Sequence, residues 1–313
     1  MHIHRWQRQL SIDRPLALTI GNFDGVHRGH QRLLSVLGDY GAAHGCDSAL
    51  MSFFPHPREV VQGRAPALLT TLRDRAHWLG HFGLDHWILL SFTRRVRELS
   101  PEAFLREYLA RFPLKLLLVG DDFRFGYRGA GDFAWLAQHA PRFGIAVEAI
   151  SSVCNAEEER ISSSLIRTAL DAHDLARAEN LLGHPLTLTG RVRRGYGRGG
   201  AHLARPTANI HLPGRWCLPD GVYVVKIAAL SAGGGEHWGV ANIGAAPTFG
   251  VARRRLEVHV LDAAPDLYDA FVRVSVHAHL REIRTFADAD TLRQQIERDV
   301  RDARAFIAVQ PTS

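Results

Sequence analysis

Five nearly unbroken apolar runs, at positions 16–20, 49–53, 87–92, 114–119 and 145–150, recur up to about residue 180, with helical patterns between them. A strand that is apolar on both faces has to be covered on both faces. Strands of that kind, linked by helices, give a parallel sheet with helices on either side, a Rossmann-like α/β domain. Such a sheet opens a ligand crevice at the carboxyl ends of its strands.

The first run leads into Gly21-Asn22-Phe23-Asp24-Gly25-Val26-His27-Arg28-Gly29-His30. Leu33, Leu37 and Tyr40, at i, i+4 and i+7, mark the helix that follows, so the two imidazoles fall at a strand-to-helix turn. A helix N-terminus favours phosphate, and two imidazole donors can hold phosphoryl oxygens as charge builds on them.

Three later segments are expected to converge on this turn. In Phe53-Phe54-Pro55-His56-Pro57, prolines on both sides of His56 fix an irregular backbone just past the second strand. The stretch from Gly120 to Asp132 carries glycines at 126, 129 and 131 that allow close backbone approach. There Asp121 or Asp122 can accept from a heterocycle or a ribose, and Arg124 and Arg128 can meet phosphate. In Ile161-Ser162-Ser163-Ser164-Leu165-Ile166-Arg167, three serines open a helix whose apolar face is Leu165, Ile166, Ala169 and Leu170. Hydroxyls and free N–H groups at a helix start, with Arg167 one turn in, suit phosphate.

After Leu182-Gly183-His184-Pro185 the rhythm changes. Short β-rich runs at 186–192, 207–212, 222–228, 238–243, 256–261 and 272–277, separated by turn signals, predict a small antiparallel barrel or sandwich. One helix closes the chain, and its stripe of Leu292, Ile296, Val300, Ala303 and Phe306 reads as packing. A linker at 181–186 divides the chain into domains of 1–182 and 183–313.

Bulk composition narrows the function classes. The 46% hydrophobic and 22% charged fractions are those of a soluble globular protein. No apolar run approaches the roughly 20 residues of a membrane span, and the start of the chain lacks a signal peptide's apolar stretch, so a cytoplasmic location is expected. The net charge of +6 is almost all arginine, Lys115 and Lys226 being the lysines, and it is dispersed along the chain. Dispersed charge makes no nucleic-acid footprint, while it suits anionic small molecules such as nucleotides. Cys46, Cys154 and Cys217 stand outside any metal-ligand spacing and read as reduced thiols.

The pieces 19–34, 53–60, 119–132, 161–170, 206–210, 239–250 and 256–268, taken in order, resemble the bacterial bifunctional riboflavin kinase/FAD synthetase family nearly end to end. The resemblance implies an N-terminal FMN adenylyltransferase domain, which moves AMP from ATP to FMN and releases pyrophosphate. It also implies a C-terminal riboflavin kinase barrel, which makes FMN from riboflavin and ATP. In the first domain it implies that His27 and His30 stabilise the α-phosphate during in-line attack, with Gly21, Asn22, Phe23 and Asp24 forming the turn and the nucleotide site. Ser162, Ser163, Ser164 and Arg167 would hold the triphosphate, Asp122 and Arg128 would shape the adenine or flavin region, and Mg²⁺ would shield the phosphates.

In the second domain the hallmark is Pro206-Thr207-Ala208-Asn209. The family implies Thr207 and Asn209 as oxygen ligands of ATP-bound Mg²⁺, Glu257 as the general base on the ribityl hydroxyl, and Gly200 as a nucleotide or flavin contact. The implied partners are the small molecules ATP, riboflavin and FMN, with neither nucleic acid nor membrane. Three departures fall in this half: Ala201 stands where the family usually has arginine, Ala204-Arg205 where it has Gly-Phe, and Leu280-Arg281-Glu282-Ile283-Arg284-Thr285-Phe286 shifts the acidic residue usually found two after the arginine. They leave two readings open, a bifunctional enzyme or an FMN adenylyltransferase whose impaired kinase domain is kept as a flavin-binding module. Gly195-Tyr196-Gly197-Arg198-Gly199-Gly200 imitates a dinucleotide fingerprint, but Pro206 follows too soon for the helix that motif needs.

Overall fold

The computed structural model describes residues 1–193, 207–212, 215–230, 235–246, 253–263 and 265–310. The chain forms two compact units, Met1–Pro66 with Arg75–Ser162, and Ala67–Asp74 with Ser163–Ser313.

The first unit holds six strands: β1 (His2–Arg5), β2 (Leu16–Ile20), β3 (Asp47–Phe54), β4 (His86–Ser91), β5 (Leu114–Gly120) and β6 (Ala146–Ile150). Their order is β1-β4-β3-β2-β5-β6, with every neighbouring pair parallel. Five are the apolar runs. The sequence reading missed β1, because His2-Ile3-His4-Arg5 offers one apolar residue; it takes the sheet edge beside β4. The helices are α1 (Arg28–His44), α2 (Pro57–Gln62), α3 (Leu72–His81, with this unit from Arg75 onward), α4 (Arg94–Arg97), α5 (Pro101–Phe104) and α6 (Phe133–His139). Ser100 caps α5, its hydroxyl accepting from the Ala103 N–H at 3.1 Å, with Pro101 at the first helical position.

All five residues of β2 are buried, which is the two-sided cover that its composition predicts. Leu16, Leu18 and Ile20 join a core with Met51, Phe104 and Tyr108, while Ala17 turns to Leu37 of α1 and to Leu116 and Leu118. From β2 the chain steps outward to β3 and β4, then returns to the far side of β2 for β5 and β6. The connection direction reverses at β2, so the loop after Ile20 opens at the topological switch point.

The second unit begins with α7 (Ser163–Asp171) and α8 (Leu175–Leu182). A closed antiparallel barrel follows: β7 (Leu186–Arg193), β8 (Thr207–His211), β9 (Gly221–Ala229), β10 (Glu236–Ala246), β11 (Arg253–Val260) and β12 (Phe271–Arg281). The order is β10-β11-β8-β7-β12-β9, and closure settles the choice between barrel and sandwich. Leu188, Ile210, Tyr223, Val225, Ile243, Leu256, Val258 and Val274 are all buried. Helix α9 (Ala289–Ala308) packs Val300, Ala303 and Phe306 on Val222, Val224 and Val240. Arg281 grips Asp299 of α9 through two bonds of 2.8 Å each. The stripe read from the sequence packs in its later part, whereas Leu292 is exposed. Among the described residues no helix is long and apolar enough to cross a membrane.

Candidate functional site

The loop after β2 is built under constraint. The Gly21 N–H donates to the Met51 carbonyl at 3.1 Å, continuing the sheet one residue further. Phe23 (φ 51°), Gly25 (φ 88°) and Val26 (φ 41°) then adopt left-handed backbone, and two of these three carry a side chain. Such residues persist only where their surroundings hold them. Here the Phe23 and Val26 side chains are both buried in the core beside Leu34 and Trp87. His27, in extended conformation, stands at the N-cap position of α1 without a side-chain cap bond, and the Gln31 amide donates to the Val26 carbonyl at 2.8 Å.

The turn stacks three rings. His27 and His30 lie 3.6 Å apart between centroids with an interplanar angle of 20°, and His30 lies 4.2 Å from Phe23 at 18°. Burial first, then His27 and Arg75, hold His30 well below the usual imidazole range. It is therefore a neutral ring at pH 7, with one N–H and one lone pair. Its buried Nδ1 has no hydrogen-bond partner among the described residues. Gly29 makes the stack possible. A Cβ there would stand 3.2 Å from His27 Nδ1 and 3.7 Å from the Ile161 carbonyl. The segment entering the serine run thus lies against the histidine turn.

Asp24 is buried under the turn and meets the equally buried Arg75 at 3.3 Å. Sequence reasoning missed Arg75. It lies 51 positions from its partner, and a single arginine in an amphipathic helix reads as a solvated face residue. His56 comes to the turn from β3, its Nε2 3.3 Å from the Asn22 amide nitrogen.

The Gly120–Asp132 loop is tied both to its surroundings and to itself. Asp121 accepts from the Ser152 hydroxyl at 2.7 Å and from its N–H at 3.0 Å, which holds the carboxyl below the usual carboxylate range. Asp122 pairs with Arg160 at 2.7 Å. Arg124 pairs with Asp132, which caps α6 by accepting from the Trp135 N–H at 2.9 Å. Phe125 and Gly131 exchange two backbone bonds of 3.0 Å each. A Cβ on Gly131 would come within 2.4 Å of the Phe125 ring, so this glycine is required by packing inside the loop. Arg128 is exposed, left-handed (φ 55°) and 5.2 Å over the Tyr127 ring.

Ser162 ends the first unit, and Ser163, Ser164 and Arg167 open α7 in the second. Ile166, Ala169 and Leu170 are its buried face, as the spacing predicts. The Arg167 Nε donates to the Ala67 carbonyl at 2.6 Å.

On the barrel, strand register brings the second constellation together. Asn209 of β8 pairs with Glu257 of β11, and Glu257 pairs with Asn242 of β10. Directly paired residues share a sheet face. Ala208, Ile210, Leu256, Val258, Ala241 and Ile243 fill the interior, so this polar row faces outward, with Thr207 two residues from Asn209 on the same side. The Asn209 Nδ2 donates to the Thr207 carbonyl at 3.2 Å, so the other end of the amide is the Oδ1 acceptor. Asn242 was not read from the sequence as a site residue; pairing β10 with β11 is the signal that finds it. Gly200, Ala201 and Ala204-Arg205 lie outside the described residues.

Comparisons with known proteins agree with this two-part layout. Residues 9–165 match the family described as FAD synthetase, and residues 182–307 match riboflavin kinase. The bifunctional riboflavin kinase/FMN adenylyltransferase of Escherichia coli (strain K12) is 40% identical over 294 residues, 93% of each chain. The protein of the same description from Pseudomonas fluorescens is 41% identical over 299 residues, 94% of each chain. A crystal structure from Streptococcus pneumoniae, described as a macrolide-efflux protein, aligns with a TM-score of 0.84 at 26% identity, over 96% of this chain and 98% of that one. Both halves match in order, and named relatives align over almost their whole length: the chain belongs to the bifunctional riboflavin kinase/FAD synthetase family.

Proposed function

We propose that the turn at His27 and His30 carries the adenylyl transfer, and that the outward row of the barrel carries the kinase step, of this two-activity flavin enzyme. The activities are phosphorylation of riboflavin to FMN and adenylylation of FMN to FAD. The observation that carries the reading is the ring stack of Phe23, His30 and His27 at the sheet's switch point.

In the first reaction site an FMN phosphate oxygen attacks the α-phosphorus of ATP, the bond to the β-phosphate oxygen breaks, and pyrophosphate leaves. Rings fixed face to face need no reorganisation as charge builds on the α-phosphate, and the N-terminus of α1 adds its dipole. Gly21, Asn22, Phe23 and Asp24 shape the turn. Ser162, Ser163, Ser164 and Arg167 take the triphosphate, and Asp122 and Arg128 border the adenine or flavin. In the second site Glu257 takes the proton of the ribityl hydroxyl as that oxygen attacks the γ-phosphorus, and ADP leaves. Gly200 belongs to the nucleotide or flavin contacts of this half.

The Thr207 hydroxyl and the Asn209 Oδ1 are hard oxygen donors that fit Mg²⁺. Mg²⁺, when bound with ATP, supplies neutralisation of phosphate charge. Two protein oxygens suit an ion shared with nucleotide phosphates, since Mg²⁺ keeps most of its shell as water and phosphate. We assign adenylyl transfer to residues 1–182 and the kinase to 183–313, acting in the cytoplasm on small molecules and on neither nucleic acid nor membrane.

Purified protein incubated with riboflavin, ATP and Mg²⁺, its flavins resolved by chromatography, tests the reading. FMN followed by FAD is the expected result. FAD made only from supplied FMN would mean that the barrel binds flavin without phosphorylating it. No flavin product with either substrate would overturn both assignments.

A further inference from the structure

We propose that His56 is a positioning residue for adenylyl transfer, donating from Nε2 to Asn22 and so fixing the loop after β2. The inference rests on the reading of the histidine turn as the adenylylation site.

The tautomer follows from one bond. The backbone N–H of Arg58 can only donate, and it lies 3.1 Å from His56 Nδ1. Nδ1 therefore presents its lone pair, and in the neutral ring the proton is on Nε2. That Nε2–H faces the Asn22 amide at 3.3 Å, where an oxygen and not an NH₂ group can accept it. The Asn22 carbonyl oxygen, rather than its nitrogen, is the atom turned to His56, since the two ends of an amide are interchangeable by a flip. The same flip acts on the other end of the amide, where a buried oxygen has no partner among the described residues. It puts an NH₂ donor there in place of the oxygen.

Capping alone does not account for a histidine at this position. Helix α2 buries none of its residues, and Ser, Asp or Asn caps a helix better. Imidazole differs from those side chains in accepting at one ring nitrogen while donating at the other, about 2 Å further out. His56 uses both. It ties the loop after β3 to the loop after β2, across 34 residues of sequence, at the mouth of the crevice.

Two variants separate the roles. H56N keeps a cap acceptor and loses the reach to Asn22; H56Q keeps a donor near the Nε2 position and weakens the cap. FMN-to-FAD kinetics are measured on the full chain, with riboflavin phosphorylation by the same samples as the check on folding. H56N is expected to lower FAD formation about 10- to 100-fold, chiefly in kcat, with riboflavin phosphorylation unchanged, and H56Q to recover most of the loss. Combined with N22A, H56N is expected to add nothing further. H56N equal to wild type, H56Q as impaired as H56N, or additive effects with N22A would each overturn the proposal. H27A runs alongside: if it keeps FAD formation, the adenylylation site lies elsewhere and both readings fail, whereas an inactive H27A beside an unaffected H56N overturns the His56 role alone.

Discussion

His27 and His30 lie face to face, ring centroids 3.6 Å apart, although three positions separate them in sequence. Two imidazolium ions would repel at that distance, so the contact itself requires at least one neutral ring. Phe23 closes the other side of His30. The stack contributes both packing and polar atoms, and the two can be separated.

His30→Phe keeps an aromatic ring between Phe23 and His27 and removes the nitrogens. It is expected to leave the thermal midpoint near wild type while FAD formation falls about 10²- to 10³-fold, the scale of losing one preorganised donor. His30→Ala is expected to lose stability as well. Calorimetry beside an FMN adenylylation assay distinguishes them; a fully active His30→Phe would remove His30 from the chemistry.

The Asp24–Arg75 pair is buried on both sides, so removing one partner takes a buried countercharge away from the other. Asp24→Asn or Arg75→Met alone is expected to cost about 3–5 kcal/mol. The double variant, which leaves neither charge, is expected to recover much of that. Urea unfolding of the four proteins gives the cycle, and simple additivity would show that the two residues do not act as a pair.

Acid weakens the fold through histidines held below their ordinary value, His277 and His30 among them. His277 is held to about 4, against an ordinary 6.5, by burial and then by Lys226. His30 is also held well below its ordinary value. As pH drops below about 6.5 the unfolded chain takes up protons that the folded chain refuses, so stability falls across that window and is level above it. Urea midpoints at about pH 7.5 and about pH 5.5 are expected to show the loss, and His277→Phe to reduce it. A His277→Phe protein as acid-sensitive as wild type would contradict the assignment.

Glu257→Gln keeps the size and the cross-strand place opposite Asn209 while removing the base. Riboflavin phosphorylation is expected to fall about 10²- to 10⁴-fold, with FMN adenylylation intact. Parallel assays on one preparation decide it; equal loss of both activities would point to misfolding instead.

What the sequence makes legible follows from how local each feature is. The apolar run at 16–20 announces its burial on both faces, and the change of rhythm after Pro185 announces the barrel, because both are written in neighbouring residues. Arg75 is illegible, since its role is set by a carboxylate from a different element. β1 is illegible for a related reason: an edge strand gains its place from backbone pairing with β4, and its composition carries no such signal. The glycines at 126 and 131 are visible, but their cause is not. Gly126 has a left-handed backbone (φ 73°) and Pro101 of α5 would lie 2.9 Å from a Cβ on it, while the Phe125 ring would lie 2.4 Å from one on Gly131, so backbone conformation and crowding demand them.

The outward row on the barrel has a consequence for how this half tolerates mutation. On β8 and β11 the odd-numbered positions 207, 209 and 257 carry the polar row, while the even-numbered 208, 210, 256 and 258 fill the interior. On β10 the parity inverts, with Asn242 outward and Ala241 and Ile243 inward. A saturation library scored twice, once for the amount of intact protein and once for flavin turnover per molecule, would resolve these strands into two interleaved combs. Each comb would be intolerant in one assay and permissive in the other, so selection can act on abundance and on chemistry at adjacent codons almost independently.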